Sequence, residues 1–280
     1  MYEFRKVSVE QESIKNYASF LQTVFPKTKK FTEVFLNWEY NENPMGKITG
    51  FDAFYEGKLV AHYAAQPMVA DLFGKRSKGL LSLNTATHPA HQGKKLFTTL
   101  ADLTYKFAAN NGYEFVYGVA NANSTHGFIS KLGFQLVCPL EAKVGFGKII
   151  TYKERKQYFF QRIWTQESIE WRLKNPEIKY EVLGSQIFAP SGKIGLKASM
   201  GTVDEKLLNG IHVSHKASKS PFTLYVGLDS SVNWKKSMFF NVPSKLKTSP
   251  LNLIFKDLTG KDRMLDKNNL KIQILDFDGY

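Results

Sequence analysis

The sequence predicts an α/β protein, a mixed central sheet flanked by helices, followed by a second and partly degenerate unit of the same kind. Three observations predict it. Between residues 80 and 137 the apolar periodicity switches in the order strand, helix, strand, helix, strand, which favours an α/β layer with some parallel pairing. A hairpin pattern around Glu56-Gly57 precedes that stretch. The segment Phe35–Tyr40 with Asn43-Pro44 has an echo in Ser168–Leu173 with Asn175-Pro176, each with a Trp near a helix end.

Taken in order, Tyr2 to Val7 read as a strand, and Ser8 with Gln11 suits a capping box opening a helix. Ile14, Tyr17, Ala18, Leu21, Val24 and Phe25 recur at helical spacing until Pro26 stops it. A second helix covers about 31–40, and Asn41 to Gly46 forms the loop after it, because Pro44 and Gly46 forbid continuation. Two strands flank Glu56-Gly57, and Leu80 to Thr87 alternates as a third, running into His88-Pro89-Ala90-His91-Gln92-Gly93. Leu96, Leu100, Leu103 and Phe107 then mark an amphipathic helix that Asn111-Gly112 ends. Glu114–Ala120 is a strand, Thr125–Leu132 a short helix closed by Gly133, and Phe134–Val137 a strand. If the echo is a duplication, a domain covering residues 1–148 is followed by a degenerate partner over 149–280, where Leu251–Phe255 and Leu270–Phe277 are strand-like.

Composition narrows the function classes. With 43% hydrophobic and 22% charged residues over 280 positions, the chain buries a real core. The lone Cys138 excludes an intrachain disulfide and a cysteine-rich zinc site, and with no signal-peptide pattern it points to a reducing, cytoplasmic setting. No apolar run approaches the ~18 residues of a membrane span. The balance of 38 Lys+Arg to 25 Asp+Glu favours anionic partners, but the excess is spread over both halves. Nucleic-acid binders concentrate their charge in a stripe with interleaved aromatics, so this pattern disfavours nucleic acid.

Chemistry concentrates at Thr87–Phe97, where a strand ends, a loop carries Gln92-Gly93-Lys94-Lys95, and a helix begins. A helix start exposes unpaired N–H groups and the positive end of the dipole, so a glycine loop leading into it makes an anion cradle fit for a pyrophosphate. Gly93 permits close backbone approach, and Lys94 or Lys95 adds a charge. Asn121-Ala122-Asn123-Ser124 follows the next strand, and Lys131-Leu132-Gly133-Phe134 ends the next helix.

This set, from about Leu80 to Phe134, resembles the GNAT superfamily of acetyl-CoA-dependent N-acetyltransferases, whose pyrophosphate loop reads Gln/Arg-x-x-Gly-x-Gly/Ala between a strand and a long helix. Gln92 takes the first position, while Lys95 and Phe97 stand where the family prefers Gly and then Gly or Ala. The resemblance implies that Thr85, Ala86 and Thr87 pair their backbone with the pantetheine arm of acetyl-CoA. It further implies that the backbone of Gly93, Lys94, Lys95, Leu96 and Phe97 holds the diphosphate. Thr98 would give a hydroxyl to a phosphate, and Asn121 or Asn123 would contact the arm. The family often has a tyrosine four residues before the Gly of Lys-Leu-Gly-Phe to protonate the departing thiolate; here Ile129 stands there.

Acetyl transfer needs a neutral amine, so a base must take a proton. Glu39, His62, His88 and His126 are the candidates, and Asn84 could orient the acceptor or a water. The resemblance places the acceptor, a small-molecule amine, against Trp38, Tyr40 and Asn43–Gly46, and no metal is implied. The Trp-Glu-Tyr…Asn-Pro-x-Gly loop and the Asn-x-Asn-Ser segment look like members associated with bacterial surface polysaccharide synthesis, which makes an amino sugar, including a nucleotide-linked one, the expected acceptor. Two rival readings stand beside this one: a Fem-type aminoacyltransferase using charged tRNA, and a non-catalytic module that binds CoA or another anion.

Overall fold

A computed structural model of the chain describes residues 1–152, 157–211, 220–247 and 249–277. β1 (Tyr2–Lys6) is followed by α1 (Gln11–Val24) and α2 (Glu33–Asn41), then by the consecutive strands β2 (Thr49–Tyr55), β3 (Lys58–Leu72) and β4 (Lys75–Thr87). α1 begins later than the sequence suggests. Ser8 Oγ accepts from the Glu10 amide at 3.2 Å and Glu10 is the N-cap, so the expected capping box does not form. The helix buries Ile14, Tyr17, Ala18, Phe20 and Leu21, so Phe20 joins the expected stripe, while Val24 and Phe25 at its end are only half-buried. β2 and β3 are joined at Glu56 (φ 50°) and Gly57 (φ 74°), the two left-handed residues that a tight hairpin turn requires.

α3 (Leu96–Asn110) follows β4 and packs Leu96, Leu100, Ala101, Tyr105 and Ala108 onto one face of the sheet. β5 (Phe115–Ala120) then runs parallel to β4. α4 (Ala122–His126) starts earlier than expected because the Asn121 side chain caps it, accepting from the Asn123 and Ser124 amides at 3.0 Å each, and residues 127–131 continue it as a π turn. β6 (Gln135–Pro139) completes the segment.

The second half exchanges a strand with the first. β7 (Glu141–Gly145) leaves the N-terminal strands. After it come β8 (Phe160–Arg162), α5 (Gln166–Leu173), β9 (Glu181–Leu183), β10 (Gln186–Pro190), β11 (Leu196–Thr202), β12 (Phe222–Asp229), β13 (Phe239–Asn241), β14 (Asn252–Asp257) and β15 (Leu270–Gln273). β7 pairs with β12 and β13, whereas β14 lies between β5 and β6, antiparallel to both. The described strands therefore join into one mixed sheet of 15 strands that runs through both halves.

The two halves also meet through the echo seen in the sequence. Trp38 of α2 and Trp171 of α5 stack with centroids 4.8 Å apart, and each indole N–H donates to the other's backbone carbonyl, at 2.9 and 3.0 Å. The contact is self-complementary, as in a two-fold interface.

β11 and β12 pair in parallel at Leu196–Phe222 through Ser199–Tyr225, the same arrangement as β4 and β5. In this half, however, β15 pairs with β12 beyond that point, and the Gln273 side chain bonds the Thr202 amide (2.6 Å) and carbonyl (3.2 Å). The parallel pair is thus closed by the chain itself.

Candidate active site

In the first half the corresponding opening stays free. β4 and β5 pair at Gly79–Phe115, Leu80–Val116 and Leu81–Tyr117 and then separate, although β4 continues to Thr87 and β5 to Ala120. Their outer edges pair with β3 and β14, so the inner edges face a cleft of about 960 Å³. Leu83, Asn84, Thr85, Ala86 and Thr87 line one wall, Gly118 to Asn121 the other, and Gln92, Phe97, Asn123, Ser124 and His126 one end.

The separation has a local cause in β4. Opposite β3 the register shifts so that Ala64 faces Leu83 and His62 faces Ala86, leaving an extra residue on β4. Asn84 sits in this bulge at φ 47°, a left-handed conformation that asparagine tolerates better than most residues.

The loop after β4 has the features of an anion cradle. His88 caps a short 3₁₀ turn, Pro89–His91, its Nδ1 accepting from the Ala90 amide at 3.3 Å. That capping contact gives His88 a structural task. Gly93 has φ 75°, and a Cβ there would meet nothing within 4 Å, so its surface is open. Lys95, the N-cap of α3, has φ 60° and an exposed side chain. The family's preference for glycine at this position corresponds to a conformation that the lysine still adopts.

The amides of Gly93, Lys94, Lys95, Leu96, Phe97 and Thr98 have no backbone acceptor among the described residues. The Thr98 hydroxyl donates to the Lys95 carbonyl at 2.8 Å, so giving its proton to a phosphate would first require breaking that bond. Asn121 spends its side-chain oxygen on the start of α4, while Asn123, also lining the cleft, is exposed.

Behind the bulge lies a buried polar chain. Glu39, Asp52 and His62 are each at most 1% exposed. Asn84 Nδ2 donates to Glu39 Oε2 at 2.5 Å and to the Tyr40 hydroxyl at 3.1 Å. The Tyr40 hydroxyl meets His62 Nε2 at 2.8 Å, His62 Nδ1 meets Asp52 Oδ1 at 2.6 Å, and the Tyr17 hydroxyl donates to Asp52 Oδ2 at 2.7 Å. Burial, with the Glu39 carboxylate adding to it, pushes the Tyr40 phenol well above its ordinary value. Burial and then Asp52 push the Tyr17 phenol up as well.

The structure therefore brings Glu39, His62 and Asn84 into one network, and only Asn84 of the three lines the cleft. Sequence reasoning missed Asp52, Tyr17 and the role of the Tyr40 hydroxyl. It also expected Trp38 and Tyr40 to offer ring faces to an acceptor, but Trp38 is 3% exposed against Trp171 and Tyr40 is fully buried. The aromatic side chains that do line the cleft near its α1 end are Phe25 and Phe31, with Thr28 and Lys30 beside them. His126 lines the cleft and is exposed, its ring 3.2 Å from Ser130 Oγ. Ile129 packs against the apolar cluster under α3 and supplies no proton donor.

Residues 4–137 match the acetyltransferase (GNAT) domain family. Among solved structures, a conserved protein of unknown function from Enterococcus faecalis V583, described as a probable N-acyltransferase, aligns over 92% of this chain and 73% of its own, with a TM-score of 0.61 and 9% identity. A GCN5-related N-acetyltransferase from Anabaena variabilis ATCC 29413 aligns over the same shares, with a TM-score of 0.59 and 11% identity. At such identity the likeness concerns the fold, and it extends over both halves. No curated protein matches the sequence.

Proposed function

Because residues 4–137 belong to the GNAT superfamily of acetyltransferases, we propose that this protein transfers an acetyl group from acetyl-CoA to a primary amine in the cleft between β4 and β5. One observation carries the reading: six successive amides, from Gly93 to Thr98, point to no backbone partner beside an open left-handed glycine. Such a nest suits a diphosphate. The free edges of Leu83–Thr87 and Gly118–Ala120 suit an extended amide-bearing arm lying between them, in the manner of an added strand.

The proposed chemistry follows from the residues at the bulge. An ammonium has no lone pair, so the acceptor must lose a proton before its nitrogen attacks the thioester carbon. Glu39 is the proposed proton acceptor, reached through a water at Asn84, whose side chain joins the carboxylate to the cleft. As the nitrogen–carbon bond forms, the carbon–sulfur bond breaks, the nitrogen sheds its second proton to solvent, and the thiolate takes a proton from solvent or from His126, since Ile129 offers none. Acceptor and acetyl-CoA react within one ternary complex.

An amino sugar, free or nucleotide-linked, is the proposed acceptor. Phe25, half-buried at the cleft, offers apolar surface for a ring face, Thr28 offers a hydroxyl, and no carboxylate is among the described residues lining the cleft. That lining suits a singly charged amine better than a polycation. We further propose that 1–148 is the catalytic half, interlocked by the exchange of β7 and β14 with 149–280, a degenerate partner whose equivalent opening β15 fills.

The test is a thiol-release assay with acetyl-CoA over a panel of amino sugars, polyamines and amino acids. Turnover with an amino sugar that falls at least ~100-fold in Gly93→Asp, where a negative charge meets the diphosphate, supports the reading. Turnover that Gly93→Asp leaves intact refutes the cradle, and no thiol release with any amine points to a binding module instead.

A further inference from the structure

We propose that Asp52, His62 and Tyr40 are positioning residues: a one-way hydrogen-bond chain that fixes which end of the Asn84 amide faces the cleft. The direction follows from acceptor-only groups. The Asp52 carboxylate can only accept, so His62 directs an N–H from Nδ1 to it at 2.6 Å, and a ring with that single proton presents Nε2 as an acceptor. Tyr40 must then donate its single proton to Nε2 at 2.8 Å, which leaves its oxygen able only to accept. At the other end the Glu39 carboxylate also only accepts. Both neighbours of the Asn84 side chain, at 2.5 and 3.1 Å, therefore demand its NH₂ end. A flipped amide would set Oδ1 against a carboxylate and a lone pair. The chain thus leaves Oδ1 for a ligand, where it accepts an N–H from the acceptor amine and holds its lone pair toward the thioester.

Burial makes the chain rigid. Tyr40 and His62 are fully buried, Asp52 is 1% exposed, and Tyr17 clamps Asp52 from the far side while its own oxygen accepts from the Ser8 amide at 3.1 Å. The charged or titratable groups facing His62 are Asp52, Tyr17 and Tyr40, with Glu39 beyond Asn84. The other tautomer would need a donor at Nδ1, where Asp52 stands instead, and the Tyr17 hydroxyl gives its proton to Asp52. Sequence spacing alone hides this arrangement, because a shift in the β2–β3 register sets Asp52 opposite His62.

The inference rests on the transferase reading only in its kinetic arm. In the first arm, histidine-labelled protein is examined by ¹⁵N NMR. The expected result is a His62 ring protonated at Nδ1 and bare at Nε2, changing to the opposite tautomer in Asp52→Asn; an Nε2-protonated ring in the unsubstituted protein overturns the proposal. In the second arm, Tyr40→Phe keeps the ring but removes the relay. It is expected to lower kcat at least ~10-fold and to leave the Kd for CoA within ~2-fold, with Tm close to that of the parent. An unchanged kcat overturns the proposal, and so does an equal loss of kcat and CoA affinity. If no amine is acetylated by the parent protein, the tautomer still decides the matter while the transferase reading fails separately.

Discussion

Besides Gly93, two non-glycine residues hold left-handed backbone at the site, and they differ in what they gain from it. Asn84 at φ 47° places its amide between Glu39 and Tyr40, whereas Lys95 at φ 60° exposes its side chain and has no capping bond. Lys95→Gly is therefore expected to relieve strain at the start of α3. Denaturant titration should give a stability equal to or up to about 1 kcal/mol above the parent, with CoA affinity unchanged or tighter. A clear loss of affinity would mean that the lysine charge, not the amides, carries the phosphate contact. At this scale much was legible from sequence. Gln92-Gly93 marked the strand–helix junction where the proposed cradle lies, and Glu39, His62 and Asn84 share one network. What stayed hidden depended on register: Asp52 sits ten residues from His62 on the neighbouring strand, and nothing in the spacing announces the bulge that aligns them. Burial hid the rest, since Trp38 and Tyr40 look alike as exposed ring faces or as core until their neighbours are known.

At the scale of elements, α2 and α5 carry the echo that the sequence contains, and the fold turns it into a reciprocal contact. The stacked indoles of Trp38 and Trp171, with two crossed N–H···O bonds, make each helix the cap of the other. Trp38→Phe and Trp171→Phe should each cost about 1–3 kcal/mol, because a buried carbonyl loses its donor and the stack shrinks. The double substitution should cost less than the sum, with a coupling of at least ~0.5 kcal/mol measured by denaturation. Strict additivity would mean that the two rings are not energetically joined. Helix positions and the hairpin at Glu56-Gly57 were readable because local periodicity and turn chemistry set them. The exact start of α1 was not, because Ser8 bonds to Glu10 two residues ahead of the helix.

At the scale of the whole molecule, the exchange of β7 for β14 ties the halves into one sheet, which no local pattern in the sequence could reveal. A fragment ending at residue 148 lacks β14 and exposes facing edges of β5 and β6, so it should fail to give a dispersed amide spectrum alone. Arg263 adds an ionic tie across the same junction. It bonds Asp257 at 2.7 Å and Glu114 at 3.0 Å, and Glu114 also holds Lys75 at 2.9 Å. Burial alone would raise both carboxyls, but these partners, joined at Asp257 by Thr259 and backbone N–H groups, outweigh it and hold both below their ordinary values. The lowered value means that this stabilisation is present above the ordinary carboxylate range and fades as pH falls through the depressed values. Arg263→Ala should accordingly cost roughly 1–3 kcal/mol at neutral pH and markedly less near pH ~3, read from denaturation at both. The central claim is that the amides at the start of α3 grip a diphosphate, and hydrogen exchange with and without CoA tests it most directly. The account predicts the strongest protection at residues 93–98, with further protection along 83–87; protection confined to the second half, or none at 93–98, would contradict it.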